Sequence, residues 1–335
     1  MKLLRVQCKH IKGAKTFLVS QRNIFFLTGK RLIVLDKSLN LVTEVAGFDY
    51  AYDAYLSPDE SKLLIVPSGN KFYIVTLDDY KVSKVLVKDG YNDNLDGRGC
   101  WSFDGKSVYI PAVSPKTILS DMRKYSVTEI DKYESLLCGK YWITQIRAIP
   151  ELKKYLLTGY DRNTLLDYFI WYDEKKFVSY EIKGFDDHIL NIDVDTEHSV
   201  ISLFSFDKCE TYSFEGEKIS DLKFRPETCK CNFFDVFKDI PEITDEGKKE
   251  LEALITELGM NDISVTEDIH STCLKPNSKL LFLCTSMGIV IVDSTSYDVI
   301  KRVNIEYGVN KIYFLEDDMF LAECFNSVKF FKIIE

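Results

Sequence analysis

The sequence predicts an all-β fold built from repeated four-stranded units. Its 335 residues include 22 Phe and 19 Tyr, which together with frequent Val and Ile favour strands. With only 16 Gly and 8 Pro, the chain does not have a disordered or fibrous composition. Short runs of alternating apolar and polar residues are separated by small turns, as in residues 63–86, and such runs recur along the whole chain.

The repeat is clearest between residues 55–87 and 273–305. Both segments contain a Leu-x-Pro turn, a Ser-Lys-Leu-Leu run, a small polar turn, a second strand, a turn containing Tyr and a final strand. Weaker copies keep the same order. Seven copies of four short strands predict a seven-bladed β-propeller of four-stranded antiparallel blades.

One position recurs at the start of the first strand of every copy. We call these residues the channel row, since they would lie at one mouth of the central channel: Lys15, Asp53, Arg98, Gln145, Asn191, Ser271 and Lys311. Their spacings are 38, 45, 47, 46, 80 and 40 residues, and the spacing of 80 is one period plus an insertion. Polar residues at equivalent positions are candidate binding residues, although solvated strand starts would show the same pattern.

The two ends of the chain complement each other. The last copy lacks one strand before the sequence ends at Glu335, whereas residues 2–8 supply a spare strand before the first copy begins. We expect this N-terminal strand to complete the seventh blade and close the ring.

The turns Pro58-Asp59-Glu60-Ser61-Lys62 and Phe103-Asp104-Gly105-Lys106, with the strands "FYIVTLDDYKV" and "IVIVDSTSYDVI", resemble the repeats of YVTN-type and WD-repeat propellers. The resemblance covers nearly the whole chain, without the paired Gly-His and Trp-Asp dipeptides of true WD repeats. It implies one propeller domain over residues 1–335, and similar propellers mostly serve as interaction platforms. A β-sandwich or a pair of β domains is the alternative.

Residues 226–266 form the predicted insertion between blades 5 and 6. Thr244 is a candidate N-cap, acids follow in the first turn, and Gly259 is a stop signal. Apolar residues at helical spacing predict an amphipathic helix whose apolar side packs on the ring or stays exposed for a partner to bind: Leu251, Leu254, Ile255 and Leu258. Phe233 and Phe234, just before it, are candidate binding residues.

Long connections fall on one predicted face, which makes that face the expected binding surface. They are residues 88–97 and 225–267 between blades, and 113–121 and 161–167 within blades. In the first of these, Asp89, Asp93 and Asp96 form an oxygen-rich loop, for which a solvated turn is preferred over a calcium site because the EF-hand spacing is missing.

Composition limits the partners and the compartment. The net charge is −9 and no long basic run occurs, so nucleic acid is not an expected partner. No segment resembles a signal peptide or an apolar membrane span, and nine cysteines scattered in strand-like runs suit reduced thiols. We therefore expect a cytoplasmic protein without a cofactor; the sequence leaves its oligomeric state open.

The main functional hypothesis is a non-enzymatic scaffold that binds a protein or peptide through the long-loop face. No nucleophile elbow, zinc motif or phosphate-binding loop occurs. The alternative is a hydrolase-like or lactonase-like enzyme, or a small-molecule binder, at the channel mouth, with Asp53, Arg98 and His270 as its residues. A third hypothesis is an assembly subunit whose helix docks in a neighbour.

Overall fold

The computed structural model describes residues 2–334 except 12, 15, 68, 88–89, 91–97, 115–119, 131, 186–188, 190, 197, 206–207, 222–226, 232–243, 258, 260–262, 297, 306–307 and 325–326. Within these residues the fold is all-β, with one α-helix, α1 (Asp245–Glu257), and a 3-10 turn (Pro150–Leu152). The strands, in chain order, are β1 Lys2–His10, β2 Thr16–Val19, β3 Asn23–Leu27, β4 Gly29–Asp36, β5 Leu41–Leu56, β6 Lys62–Pro67, β7 Lys71–Thr76, β8 Val82–Leu86, β9 Cys100–Trp101, β10 Ser107–Val113, β11 Ser120–Ser126, β12 Tyr133–Cys138, β13 Tyr141–Ile149, β14 Lys154–Asp161, β15 Asp167–Tyr172, β16 Phe177–Glu181, β17 Asn191–Asp195, β18 Val200–Phe204, β19 Cys209–Ser213, β20 Lys218–Asp221, β21 Thr228–Cys231, β22 Ile263–Thr266, β23 Ile269–Leu274, β24 Leu280–Thr285, β25 Gly288–Asp293, β26 Val299–Asn304, β27 Lys311–Glu316, β28 Met319–Cys324 and β29 Ser327–Ile334.

These strands form antiparallel four-stranded units, numbered here 1 to 7 within the described residues. Units 3 to 6 are the sheets β9–β12, β13–β16, β17–β20 and β23–β26. Unit 7 has the order β1-β29-β28-β27, so the N-terminal strand pairs with the last strand of the chain, from Lys2 opposite Ile334 to His10 opposite Ser327. This pairing was predicted from the missing strand of the last copy.

Units 1 and 2 differ from the predicted separate blades because they share the long strand β5. The sheet runs β2-β3-β4-β5-β6-β7-β8 without interruption. The first half of β5 pairs with β4 and its second half with β6. The connection between the two halves contains no tight turn, and Gly47 takes a positive φ of 103° there, so the backbone crosses from one unit to the next in an extended conformation.

Apolar clusters lie between successive units. Six clusters join unit 1 to 2, 2 to 3, 3 to 4, 4 to 5, 5 to 6 and 6 to 7. A seventh joins unit 7 to unit 1 through Leu321, Val328 and Phe330 packed with Phe17 and Phe26. The order of packing therefore returns to its start. Burial of both faces explains why the middle strands of units 2 and 6 are mostly apolar, as in β6, β7, β24 and β25.

Helix α1 and the two-stranded sheet of β21 and β22 belong to the insertion between units 5 and 6. Thr244 caps the helix, since its Oγ1 accepts a hydrogen bond from the Gly247 N–H at 3.1 Å. Gly259 follows the helix with a φ of +67°, a conformation that glycine adopts without strain. The cap and the stop signal in the sequence thus correctly placed this helix.

Candidate functional site

The channel row occupies equivalent positions in the first strands of the units. Asp53, Gln145 and Ser271 lie within β5, β13 and β23. Asn191 and Lys311 begin β17 and β27, and Arg98 lies two residues before β9. Lys15 lies outside the described residues. In three units a β-bulge falls directly before the row residue, between 51 and 53, 143 and 145, and 269 and 271. The common bulge supports the alignment of the copies.

Two row residues bind the backbone entering the next unit. Gln145 donates from Nε2 to the Ile189 carbonyl at 3.2 Å, and Ser271 donates from Oγ to the Asn310 carbonyl at 2.6 Å. Asn191 bonds locally, its Oδ1 accepting from the Ile192 N–H at 2.8 Å. Part of the row is therefore structural, because these bonds hold neighbouring units in register.

Around Asn310 the structure brings together several predicted residues, and we name this group the Asn310 cluster: His270, Ser271, Asn310, Lys311 and Glu323. His270 is the bulged residue of β23, and its Nδ1 lies 3.1 Å from Asn310 Oδ1. Asn310 donates its N–H to the Glu323 carbonyl at 2.7 Å, and its side chain bonds to the Glu323 carboxyl group. The cluster thus connects an exposed imidazole to a buried carboxyl group.

Glu323 is the least expected member of the cluster. Its side chain is 1% exposed, and its Oε1 has no hydrogen-bond partner within the described part of the chain. Burial raises the pKa of Glu323 to about 7; the charge of Lys311 and the Asn310 hydrogen bond act against this, while the charge of Asp53 adds to it. Asp53 belongs to unit 2, so the charge of a unit that does not adjoin unit 7 along the chain acts on the Glu323 carboxyl group.

Asp53 and Arg98 both act on Tyr55, the first by a hydrogen bond and the second by its charge. The Tyr55 hydroxyl donates to Asp53 Oδ2 at 3.1 Å, while Asp53 Oδ1 accepts from the Ala54 N–H at 2.8 Å. Burial raises the pKa of Tyr55 well above its usual value, the charge of Asp53 adds to the rise, and the charge of Arg98 opposes it. The predicted set of Asp53, Arg98 and His270 is therefore divided: two of its members act at Tyr55 and the third binds Asn310.

A cavity of about 910 Å³ lies on the opposite side, among the tight turns. The first strands of units 2 to 4 line it, together with Phe103, Lys153 and Glu174. Glu174 accepts hydrogen bonds from two buried hydroxyls, Tyr109 at 3.2 Å and Tyr155 at 2.9 Å, which joins unit 3 to unit 4. Sequence reasoning placed function only on the other face and did not indicate this cavity.

The insertion is held to unit 6 by a buried group of charges. Glu267 is 3% exposed and accepts from Thr285 Oγ1 at 2.8 Å, from Arg302 Nη1, and from the Glu227 N–H at 3.2 Å. Arg302 Nε also contacts Glu227 Oε1 at 3.3 Å. Glu227 directly precedes β21 and Glu267 directly follows β22, so both ends of the insertion are fixed to β24 and β26.

The insertion helix presents apolar residues in two directions. Ile255 is 2% exposed, Leu251 is half-buried, and Leu254 is 50% exposed. The predicted stripe is therefore buried at Ile255 and exposed to solvent at Leu254. Its packing on the ring stays a prediction. Leu258, Phe233 and Phe234 lie outside the described residues.

Much of the predicted long-loop face also lies outside the described residues, including Asp89, Asp93 and Asp96. Gly90, in the same connection, is described: a Cβ at this position would lie 2.9 Å from the guanidinium nitrogens of Arg123. Arg123 is buried with Asp121, and its Nε lies 3.0 Å from Asp121 Oδ2.

Among the residues that the structure describes, no three His, Cys, Asp or Glu side chains converge as metal ligands.

No protein-family profile matches the chain, and no curated protein shows significant similarity to it. In the described part of the chain, no helix is long and apolar enough to cross a bilayer.

Proposed function

We propose that the seven units form a closed seven-bladed β-propeller related to the YVTN and WD-repeat types. The cyclic order of the apolar clusters supports this proposal, as does the pairing of β1 with β29. Closure by strands from both ends of the chain pairs β29 with β1 and leaves unit 7 with four strands, which is the physical advantage of such a closure.

We further propose that the protein is a non-enzymatic scaffold that binds a protein or peptide partner through the long-loop face. The observation that carries this proposal is the insertion, whose two ends are fixed by the Glu267 and Arg302 pair while Leu254 remains half exposed on α1. An apolar side chain presented on a folded helix loses less conformational entropy on binding than one on an unfolded segment, which favours its use as a contact residue.

Partner capture from native cell extract tests this proposal. The full chain is compared with a variant lacking residues 240–262, with Leu254→Ser, and with Ile219→Ser as a matched control, since Ile219 is 56% exposed on the outer strand β20. We expect a protein that the full chain and Ile219→Ser retain and the other two lose, all four being folded by circular dichroism. Equal capture by the full chain and all three variants would exclude the insertion as the binding element.

A cytoplasmic location is part of the same proposal. The cysteines with described side chains are free thiols, as expected in a reducing compartment. They are Cys8, Cys100, Cys209, Cys273, Cys284 and Cys324.

One observation favours a second candidate function, a small-molecule binder at the channel mouth. Buried polar atoms in proteins are normally hydrogen-bonded, and Glu323 Oε1 has no such partner within the described residues. Native mass spectrometry of the purified chain tests this function: a co-purifying ligand that Glu323→Gln loses would support it, and identical spectra would count against it.

A further inference from the structure

The N-terminal region has a charge opposite to that of the whole protein. Its first 35 residues contain no Asp or Glu, although the chain has a net charge of −9. The eight basic residues before Asp36 are Lys2, Arg5, Lys9, Lys12, Lys15, Arg22, Lys30 and Arg31. Such an asymmetry produces a local positive field on an acidic protein, and local fields select the charge of a binding partner.

The fold places part of this charge around a groove between units 7 and 1. The groove has a volume of about 610 Å³, and we call it the seam groove. Lys9, Ile11, Lys30 and Arg31 line it, the last two at the start of β4. Tyr50 lines it too, with its ring about 3.5 Å from the position of a Cβ on Gly29. β1 is the edge strand of unit 7, so the groove lies where the two ends of the chain meet.

The charges of the groove are only partly neutralised. Arg31 Nη1 lies 3.5 Å from Glu44 Oε2, in a pair that is largely exposed on both sides. Lys9 and Lys30 make no ion pair with any described residue, and Lys30 is exposed. Cations without intramolecular partners remain available to an anionic ligand.

The floor of the groove is apolar. Arg31, Ile33 and Leu35 lie on one face of β4, with Leu41 opposite Leu35 on β5. Leu41 is 56% exposed and Tyr50 is 51% exposed, so both offer apolar surface to a ligand. From Arg31 to Leu35 the face extends about 13 Å, at about 3.3 Å per residue, the length of about four residues of extended chain.

We infer that the seam groove binds an extended acidic segment of a partner protein. Its carboxylates contact Lys9, Lys30 and Arg31, and one apolar side chain packs on Leu41 and Tyr50. This inference rests on the proposed partner-binding function and adds the chemistry of the partner. A nucleic acid fits less well, since the floor is apolar and Glu44 lies among the three cations.

Fluorescence polarisation with synthetic peptides tests the inference. The probe is a fluorescein-labelled peptide of alternating Asp and Glu around a central Leu-Phe pair. Three controls accompany it: the same peptide with Asn and Gln in place of the acids, the acidic peptide with Ser-Ser at its centre, and a labelled DNA duplex. Binding is measured at about 50 mM and about 300 mM NaCl, where screening separates charge from apolar contact.

We expect the acidic Leu-Phe peptide to bind at least about tenfold more tightly than each control peptide and to weaken at the higher salt concentration. The charge reversal K9E/K30E should remove this preference, and K9R/K30R should keep it. Leu41→Ser should weaken binding of the probe to the affinity that the unmodified chain has for the Ser-Ser peptide. The exposed turn variant K175E/K176E, with the same change in net charge, should bind like the unmodified chain.

Equal binding of the acidic and neutral peptides, tighter binding of the DNA duplex, or equal losses in K9E/K30E and K175E/K176E would each overturn the inference. Partner capture separates the two levels of the proposal. If K9E/K30E retains a partner that the variant lacking residues 240–262 loses, the scaffold function stands and the seam groove is not its acidic site. If neither the full chain nor any variant captures a partner, the scaffold function itself fails.

Discussion

Two buried glutamates of this protein have opposite surroundings. Glu267, at the base of the insertion, is 3% exposed and receives hydrogen bonds from a hydroxyl, a guanidinium and a backbone N–H. Glu323, in unit 7, is 1% exposed and has an Oε1 without a partner within the described residues. The Glu267 carboxylate is held by these three hydrogen bonds, whereas burial raises the pKa of Glu323 to about 7.

The difference distinguishes a glutamate in a structural ion pair from one whose protonation responds to pH. A buried charge is tolerated when strong partners replace its lost hydration, and removal of one partner is then costly. A buried carboxyl group with an unpaired oxygen instead becomes protonated near neutral pH. We therefore expect the loss of Glu267 to destabilise the protein at the base of the insertion, and the region around Glu323 to change with pH.

The largest expected effect comes from removal of residues 1–8. β1 completes unit 7, and its Leu3 packs on the cluster between units 6 and 7. Its loss exposes β29 as an unpaired edge, and we expect a stability loss of about 5 kcal/mol or more, comparable with the whole stability of a domain. Thermal unfolding followed by circular dichroism measures it, with the variant lacking residues 240–262 as the control that stays folded. An unchanged melting temperature would contradict closure by β1.

A smaller loss should follow Glu267→Ala. This change leaves Arg302 and Thr285 without their buried acceptor, and we expect it to destabilise the protein by about 3–5 kcal/mol in urea unfolding. Glu227→Ala is the matched control, because Glu227 is 57% exposed and contacts the same arginine; it should cost less than about 1 kcal/mol. Equal losses in the two variants would show that burial does not distinguish these carboxylates.

The smallest expected effect is the pH dependence that Glu323 contributes. Its folded pKa of about 7 lies above the usual 4.5, so the unfolded chain ionises first as pH rises. The contribution of this group to stability is then greatest below about pH 4.5 and falls by about 1.4 kcal/mol per pH unit up to about pH 7. Above pH 7 it is constant, at most about 3 kcal/mol below its value at low pH.

Glu323→Gln keeps the shape and removes this titration. We expect the variant to be more stable than the unmodified chain at pH 8, by up to about 3 kcal/mol, and equal or less stable at pH 4.5, as measured by urea unfolding at each pH. His270→Ala is the control, since it removes the exposed end of the same cluster and leaves the carboxyl group in place. A stability difference that does not vary with pH would show that Glu323 is ionised throughout.

Local patterns in the sequence predicted much of the fold. Turn residues and alternating strands predicted the repeated four-stranded units, and the missing strand of the last copy predicted the pairing of residues 2–8 with β29. Thr244 and Gly259 predicted the bounds of α1, because a cap and a stop act within one turn of a helix. The continuity of β5 was not predicted, since an extended connection carries no turn signal.

The candidate site was predicted only in part. The channel row included Ser271, Lys311 and Asp53, which the structure places near Asn310 and Tyr55, and His270 was noticed beside it. Asn310 and Glu323 were missed, although a glutamate in the apolar run "MFLAEC" was an available signal, because charged residues rarely lie in buried strands without a role. The basic residues before Asp36 were also available in the sequence, and their meaning depends on the groove between units 7 and 1.

The sequence by itself determined the strands, their repeat, the helix and its caps, since these follow from the periodicity of side chains and from backbone preferences at particular residues. Only the tertiary structure decided which polar residues meet. Asp53 and Glu323 are 270 positions apart in the chain, and Lys9 and Leu41 lie on different units. The burial of a carboxyl group, the pairing of a charge and the shape of a groove depend on neighbours distant in sequence, and no local pattern specifies them.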